Sequence, residues 1–232
     1  MLTAEQDAKE RRVAWTMLVL CPLSFLFIMV FVIIGVAPGL TTGDGHPAIY
    51  LEATCVLWAL VSMFLPILRL LRLVQMPPAF LVVVYANMYF YVISLNMGLY
   101  LGVSWWGDMG HVVSSTIVTI TVFIALCVME CRSPPHVTFG RRTGMVAMLF
   151  LVALSFGGIW EMMEGFTDTA GGHSYMVYGA SDTMGDLSAD LLGVIIMCIG
   201  VYAYLGKHTA YDIYSTMRFG RDAFVVEGHD GD

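Results

Sequence analysis

The sequence predicts an all-α, polytopic membrane protein of about six transmembrane helices with both termini cytoplasmic, and three observations predict it. Of the 232 residues, 58% are hydrophobic and only 12% charged, roughly half the charged fraction of a soluble domain. The apolar residues gather into runs long enough to cross a hydrocarbon core about 30 Å thick. Finally, the basic residues fall on one side when those runs are counted as spans.

Val13 to Val36 forms the first run, preceded by Lys9, Arg11 and Arg12 and closed by Ala37-Pro38-Gly39. It is longer than the apolar region of a signal peptide, so an uncleaved first span is expected. Ala48 to Leu68 is the second run and ends at Arg69 and Arg72; Ala79 to Val103 is the third, entered through Pro77-Pro78. Gly110 to Val128, Gly144 to Phe166 and Asp182 to Leu205 are the fourth, fifth and sixth, with a basic stretch from Lys207 to Arg221 behind them. With the N-terminus inside, all eleven Lys and Arg residues lie at the cytoplasmic face, as retention of basic residues during insertion requires.

A single membrane domain over residues 1–232 follows, with 206–232 as a cytoplasmic tail that ends in a frayed acidic terminus. The longest extracytoplasmic stretch, Thr167 to Ser181, is Gly-rich and polar and reads as a mobile loop. The cysteines Cys21, Cys55, Cys127, Cys131 and Cys198 all lie in apolar runs without paired spacing, so they read as small core residues. Most methionines and the tyrosines of the third run (Tyr85, Tyr89, Tyr91, Tyr100) read as packing, and Trp105 and Trp106 as an outer aromatic belt.

Ionisable groups are costly inside a bilayer, and those that remain face a bundle interior or a wet cavity and mark function. Three segments supply them. Asp108 and His111 enter the fourth run, with Ser114 and Ser115 one turn on. In the fifth run Ala153, Gly157, Glu161 and Glu164 lie within an arc of about 80°, which puts both glutamates on a small-residue packing face. In the sixth, Asp182, Asp186 and Asp190 form one acidic stripe and Gly185, Ala189 and Gly193 a small-residue stripe.

These groups, with Asn96 of the third run, fall at a similar depth in the outer leaflet, where no Lys or Arg is available. Such carboxylates must bind a cation, share protons or open onto water. A divalent metal is the most economical partner, with Mg, Mn, Fe and Zn not distinguished by oxygen ligands plus one imidazole. Bland readings stand beside this one: Asp182 as a helix N-cap, Asp108 as a loop or cap residue, and His111 as a packing residue. His46, Glu52 and His173 are isolated outer positions.

The order Asp-x-x-His (Asp108, His111), Gly-x-x-Trp-Glu-x-x-Glu (Gly157, Trp160, Glu161, Glu164) and Asp-Thr-x-x-Asp-x-x-x-Asp-x-x-Gly (Asp182, Thr183, Asp186, Asp190, Gly193) resembles the YjdF-like bacterial membrane proteins. More distantly it resembles the VanZ-like family. The resemblance covers roughly residues 80 to 205, and Glu164 and Asp190 depart from the Gln and Asn common in VanZ-like sequences. It implies a bacterial cell membrane and an analogy to enzymes that modify or exchange lipid head groups.

The expectation is therefore a membrane-embedded, metal-assisted enzyme acting on a lipid or polyprenyl-phosphate head group at the extracytoplasmic face. Glu161, Asp186, Asp190 and Asp182 are the candidate metal ligands; His111, as general base or nucleophile, with Asp108 and Glu164 are the candidate catalytic groups. The alternatives are a proton or cation transporter component using the same carboxylates, and a non-catalytic subunit of a membrane complex. Lipids are the expected partners and nucleic acid is not, with homo-oligomer or complex left open.

Overall fold

The computed structural model describes residues 4–33, 48–99, 103–132, 139, 142–172, 176–177 and 179–219. His46, Tyr100, His173, Arg221 and the acidic C-terminus, all singled out above, lie outside the described residues. In chain order the elements are α1 (Ala4–Ile33), α2 (Ala48–Ser62), α3 (Phe64–Leu70), β1 (Val74–Gln75), α4 (Pro78–Asn96), α5 (Trp106–Arg132), α6 (Arg142–Gly171), α7 (Ala180–Tyr204), α8 (Ala210–Tyr214) and β2 (Arg218–Phe219). Among the described residues five helical stretches are long and apolar enough to cross a membrane, and Phe80–Asn96 is a shorter apolar helix. The chain is thus a multi-pass helical membrane protein.

Helix ends differ from the apolar runs in an instructive way. α1 begins nine residues before Val13, because polar residues such as Glu5 and Asp7 suit a helix N-terminus even where hydropathy is low. The second run is broken at Met63, between α2 and α3. The third run was expected to reach Val103, but α4 ends at Asn96, and Gly98 turns the chain with φ +66°, a conformation glycine adopts without steric cost.

The chain divides into two compact units, Met1–Leu99 with Ser215–Asp232, and Tyr100–Tyr214. In the first, Phe25 of α1, Cys55 and Ala59 of α2, and Tyr85, Met88 and Val92 of α4 form the core. Phe25 stacks on Tyr89 at 4.6 Å. Two tyrosine hydroxyls of α4 are satisfied inside the protein: Tyr85 donates to the Ser62 carbonyl at 2.5 Å, and Tyr89 pairs with Ser24. Such pairing is what a medium without water demands.

At one end of this unit Arg69 is buried and bonds Asp7 and Glu10 of α1, both at 2.8 Å. Arg72, which also reaches Asp7, has φ +55°. It occupies the left-handed position of a Schellman ending, with Leu73 N–H bonded to the Leu68 carbonyl and Arg72 N–H to that of Arg69. β2 returns from the far end of the chain to pair antiparallel with β1, matching Gln75 with Arg218. Arg218 then donates to the Gln75 side chain at 3.0 Å. Part of the stretch behind α7 therefore belongs to the first unit.

The second unit is a bundle of α5, α6 and α7 with α8 against α5. Its apolar core is built from Val122, Phe123 and Cys127, from Met145 and Leu149, and from Val194 and Cys198. All these positions lie toward the α5 C-terminus. In the other half of the same three helices the buried positions are largely polar: Ser115, Glu161, Asp186 and Asp190. Cys55, Cys127 and Cys198 are buried and all five cysteines are free.

Removing one partner from a buried ion pair leaves an uncompensated charge and costs about 3–5 kcal/mol. Arg69→Ala is expected to lose about that much stability in denaturant titration of the detergent-solubilised protein, and Asp7→Ala a comparable amount. The double variant should lose clearly less than the sum; additive losses would show that the pair is not coupled.

Candidate functional site

The polar half of the second unit draws on the N-terminal turns of α5 and α7 and the later turns of α6. Two helix N-termini favour negative charge there, which is one reason acidic residues concentrate at that end. Asp108 and Asp182 each occupy the third position of their helices. Asp182 is not the N-cap of α7, which is Gly179.

Small residues let the three helices approach. Gly193 of α7 lies against Ser115 and the Val112 carbonyl of α5, where an added Cβ would come within 2.7 Å of that oxygen. Gly157 of α6 lies against Asp190 of α7, where a Cβ would meet Oδ2 at 2.5 Å. The small stripe of α7 thus packs on α5, while its acidic stripe turns toward the interior, as the spacing predicts. Ala153 and Glu161 are buried on the same face of α6.

His111 stands at the centre. Its Nδ1 is 3.3 Å from Asp190 Oδ1 and its Nε2 is 3.5 Å from Asp186 Oδ1. One ligand-capable atom each of His111, Glu161 and Asp186 lie within 4.8 Å of one another. Asp186, Asp190 and Glu161 are all buried. The Thr183 side chain is a hydrogen-bonding neighbour of Glu161, yet Glu161 Oε1 is buried with no hydrogen-bond partner among the described residues. An orphaned carboxylate oxygen in a buried site calls for a missing partner.

Of the candidate ligands, Glu161 and Asp186 thus join His111 in one three-residue group, while Asp190 contacts the opposite ring nitrogen. Glu164 is half-buried and within electrostatic reach of Glu161, His111 and Asp186. Asp108 is exposed and leans on the backbone of α7, its Oδ1 3.5 Å from where a Gly185 Cβ would lie. Asp182 is half-buried beside Asp186. Asn96 belongs to the first unit, where it donates to the Val92 carbonyl at 2.7 Å.

Asp168 was missed by sequence reasoning. α6 continues past Phe166 to Gly171, and the buried Asp168 accepts backbone N–H bonds from Met176 and Val177 at 2.9 and 2.8 Å. The described part of the stretch that reads as a mobile loop is therefore anchored. An Asp followed by a Gly-rich turn was the available signal, but a loop reading hid it.

All three site helices fall inside a single family match, a family of predicted membrane proteins known as DUF2238, over residues 19–207. The chain belongs to this family. Membership agrees with the apolar helices in giving the protein an integral membrane location, and the YjdF-like resemblance is consistent with it. No curated protein and no solved structure matches the chain.

Adjacent glycines test the packing that shapes the site. A Cβ at Gly158 meets nothing within 4 Å, unlike one at Gly157. Gly158→Ala should be neutral or stabilising by up to about 1 kcal/mol, whereas Gly157→Ala should destabilise by about 1–3 kcal/mol. Equal thermal shifts for the two variants would contradict the close approach of Asp190 to α6.

Proposed function

We propose that the second unit binds one divalent cation between His111, Glu161 and Asp186 and acts on the phosphoester of a lipid head group. The observation that carries this reading is the convergence of those three side chains from separate helices, with one buried carboxylate oxygen that has no partner among the described residues. His111 supports it further: with Nε2 turned to Asp186 and Nδ1 to Asp190, it has the arrangement of a metal-ligating imidazole steadied by an outer carboxylate. Asp190 in this reading is a positioning residue instead of a ligand, and His111 a ligand instead of the base.

A bound cation would supply the positive charge that phosphate oxygens need as they react. The second unit has few basic residues to do so: Tyr100–Tyr214 contains only Arg132, Arg141, Arg142 and Lys207. Arg142 precedes Glu161 on the same helix by nineteen residues, about 28 Å of helix. Glu164, one turn outward from Glu161, takes the role of general base: it receives a proton from the water that attacks phosphorus and returns it to the departing alcohol oxygen as the ester P–O bond breaks. His111 lies five residues into α5 from Trp106, about 7.5 Å along the axis. That depth, just below an aromatic belt, is where head groups meet acyl chains.

This reading carries six spans, with α4 as a short third, and both termini cytoplasmic in a bacterial cell membrane. The one-sided distribution of Lys and Arg supports that orientation. The apolar core beneath the polar half, through Phe123, Leu149 and Val194, favours an enzyme over a relay, since a conduction path would need polar groups there.

Manganese binding to purified full-length protein, followed by electron paramagnetic resonance after chelator treatment, tests the site. One ion per chain is expected, with Asp186→Asn and Glu161→Gln abolishing binding and Asp190→Asn weakening it about 10–100-fold. Failure of the native protein to bind manganese or zinc would overturn the metal-assisted reading. In loaded protein, head-group release from radiolabelled phospholipid should stop on chelation and in Glu164→Gln, with the metal of that variant retained.

A further inference from the structure

At the opposite end of the second unit from His111, Arg142 opens α6, and Gly206 and Lys207 follow the end of α7. The Arg142 guanidinium lies over the Tyr202 ring, 4.1 Å from its centroid. Gly206 makes room for it: a Cβ there would come within 3.0 Å of Nη1 and 3.1 Å of the Ala203 carbonyl. A ring on one side and a missing side chain on the other thus fix the cation, with Lys207 next in the chain. Among the described residues neither Arg142 nor Lys207 has a carboxylate partner, whereas Arg69, Arg72 and Arg218 of the first unit each contact one. Asp212, the acid nearest in sequence to Lys207, instead accepts the Thr209 N–H and hydroxyl at 2.6 and 3.1 Å.

A guanidinium held on an aromatic face has already given up much of its rotamer freedom and keeps its N–H edge for the two oxygens of a phosphate. What continues from this corner favours a lipid as the source of that phosphate. At 100° per residue Ile195 and Ile199 share the face of Tyr202, and both are exposed, forming an apolar lane along α7 that leads away from the two cations. Tyrosine rings such as Tyr202 mark head-group depth. Two uncompensated cations repel the ammonium of a zwitterionic head group. We propose that this corner binds an anionic phospholipid, its phosphate bridged by Arg142 and Lys207 and an acyl chain laid along Ile199 and Ile195. Arg142 stands nineteen residues from Glu161 on α6, so this lipid is held whether or not a metal binds at the other end.

Full-length protein in detergent, titrated with phosphatidylglycerol or phosphatidylcholine and read by native mass spectrometry, tests the site. One phosphatidylglycerol per chain should bind about tenfold more tightly than phosphatidylcholine. The double variant Arg142→Gln/Lys207→Gln should erase that preference, while Lys9→Gln/Arg11→Gln, which removes the same charge from the first unit, should keep it. Tyr202→Leu leaves every charge in place and should still weaken phosphatidylglycerol about two- to fivefold; Tyr202→Phe, which keeps the ring, should bind as the native protein does. Equal affinity of the native protein for the two lipids overturns the inference. So does an equal loss in both double variants, or a Tyr202→Leu protein with unimpaired binding, because either result reduces the attraction to diffuse surface charge.

Discussion

Burying a carboxylate away from bulk water and from any lysine or arginine is costly enough to organise everything around it. In the second unit three such groups, Glu161, Asp186 and Asp190, are placed on two helices and gathered about one histidine from a third. Glycines at 157 and 193 permit the approach, and helix N-termini at α5 and α7 lend partial positive charge to that end. What they do not provide is a full positive charge for Glu161.

The bundle divides its labour along its length. One half is dry and packed by Phe123, Leu149, Val194 and their neighbours; the other presents polar groups on the same helices. Rigid helices hold first-contact residues more accurately than loops can. The apolar half therefore works as a scaffold, holding His111 between Asp186 and Asp190. Asp168 extends the same logic beyond the helices, tying the following stretch to the end of α6.

Much of this arrangement is written in helical periodicity. The i,i+4 spacing of Asp182, Asp186 and Asp190 puts them on one face, and the small residues of both helices mark the faces that pack. Periodicity does not say which ring nitrogen of His111 meets which carboxylate; only the fold sets Asp186 at Nε2 and Asp190 at Nδ1. Hydropathy also locates spans better than helix ends: it missed the nine residues of α1 that carry Asp7, and with them the partner of buried Arg69. A charged residue that ends an apolar run looks solvated in a one-dimensional profile. Its partner sits 62 residues away in sequence.

Crystals of the full chain soaked in manganese and measured for anomalous scattering address the central claim most directly. A single peak about 2.1 Å from His111 Nε2 and from carboxylate oxygens of Glu161 and Asp186, with Asp190 on the opposite ring nitrogen, is the result expected. A protein with no peak there, or with manganese only on exposed acids such as Asp108, would contradict it.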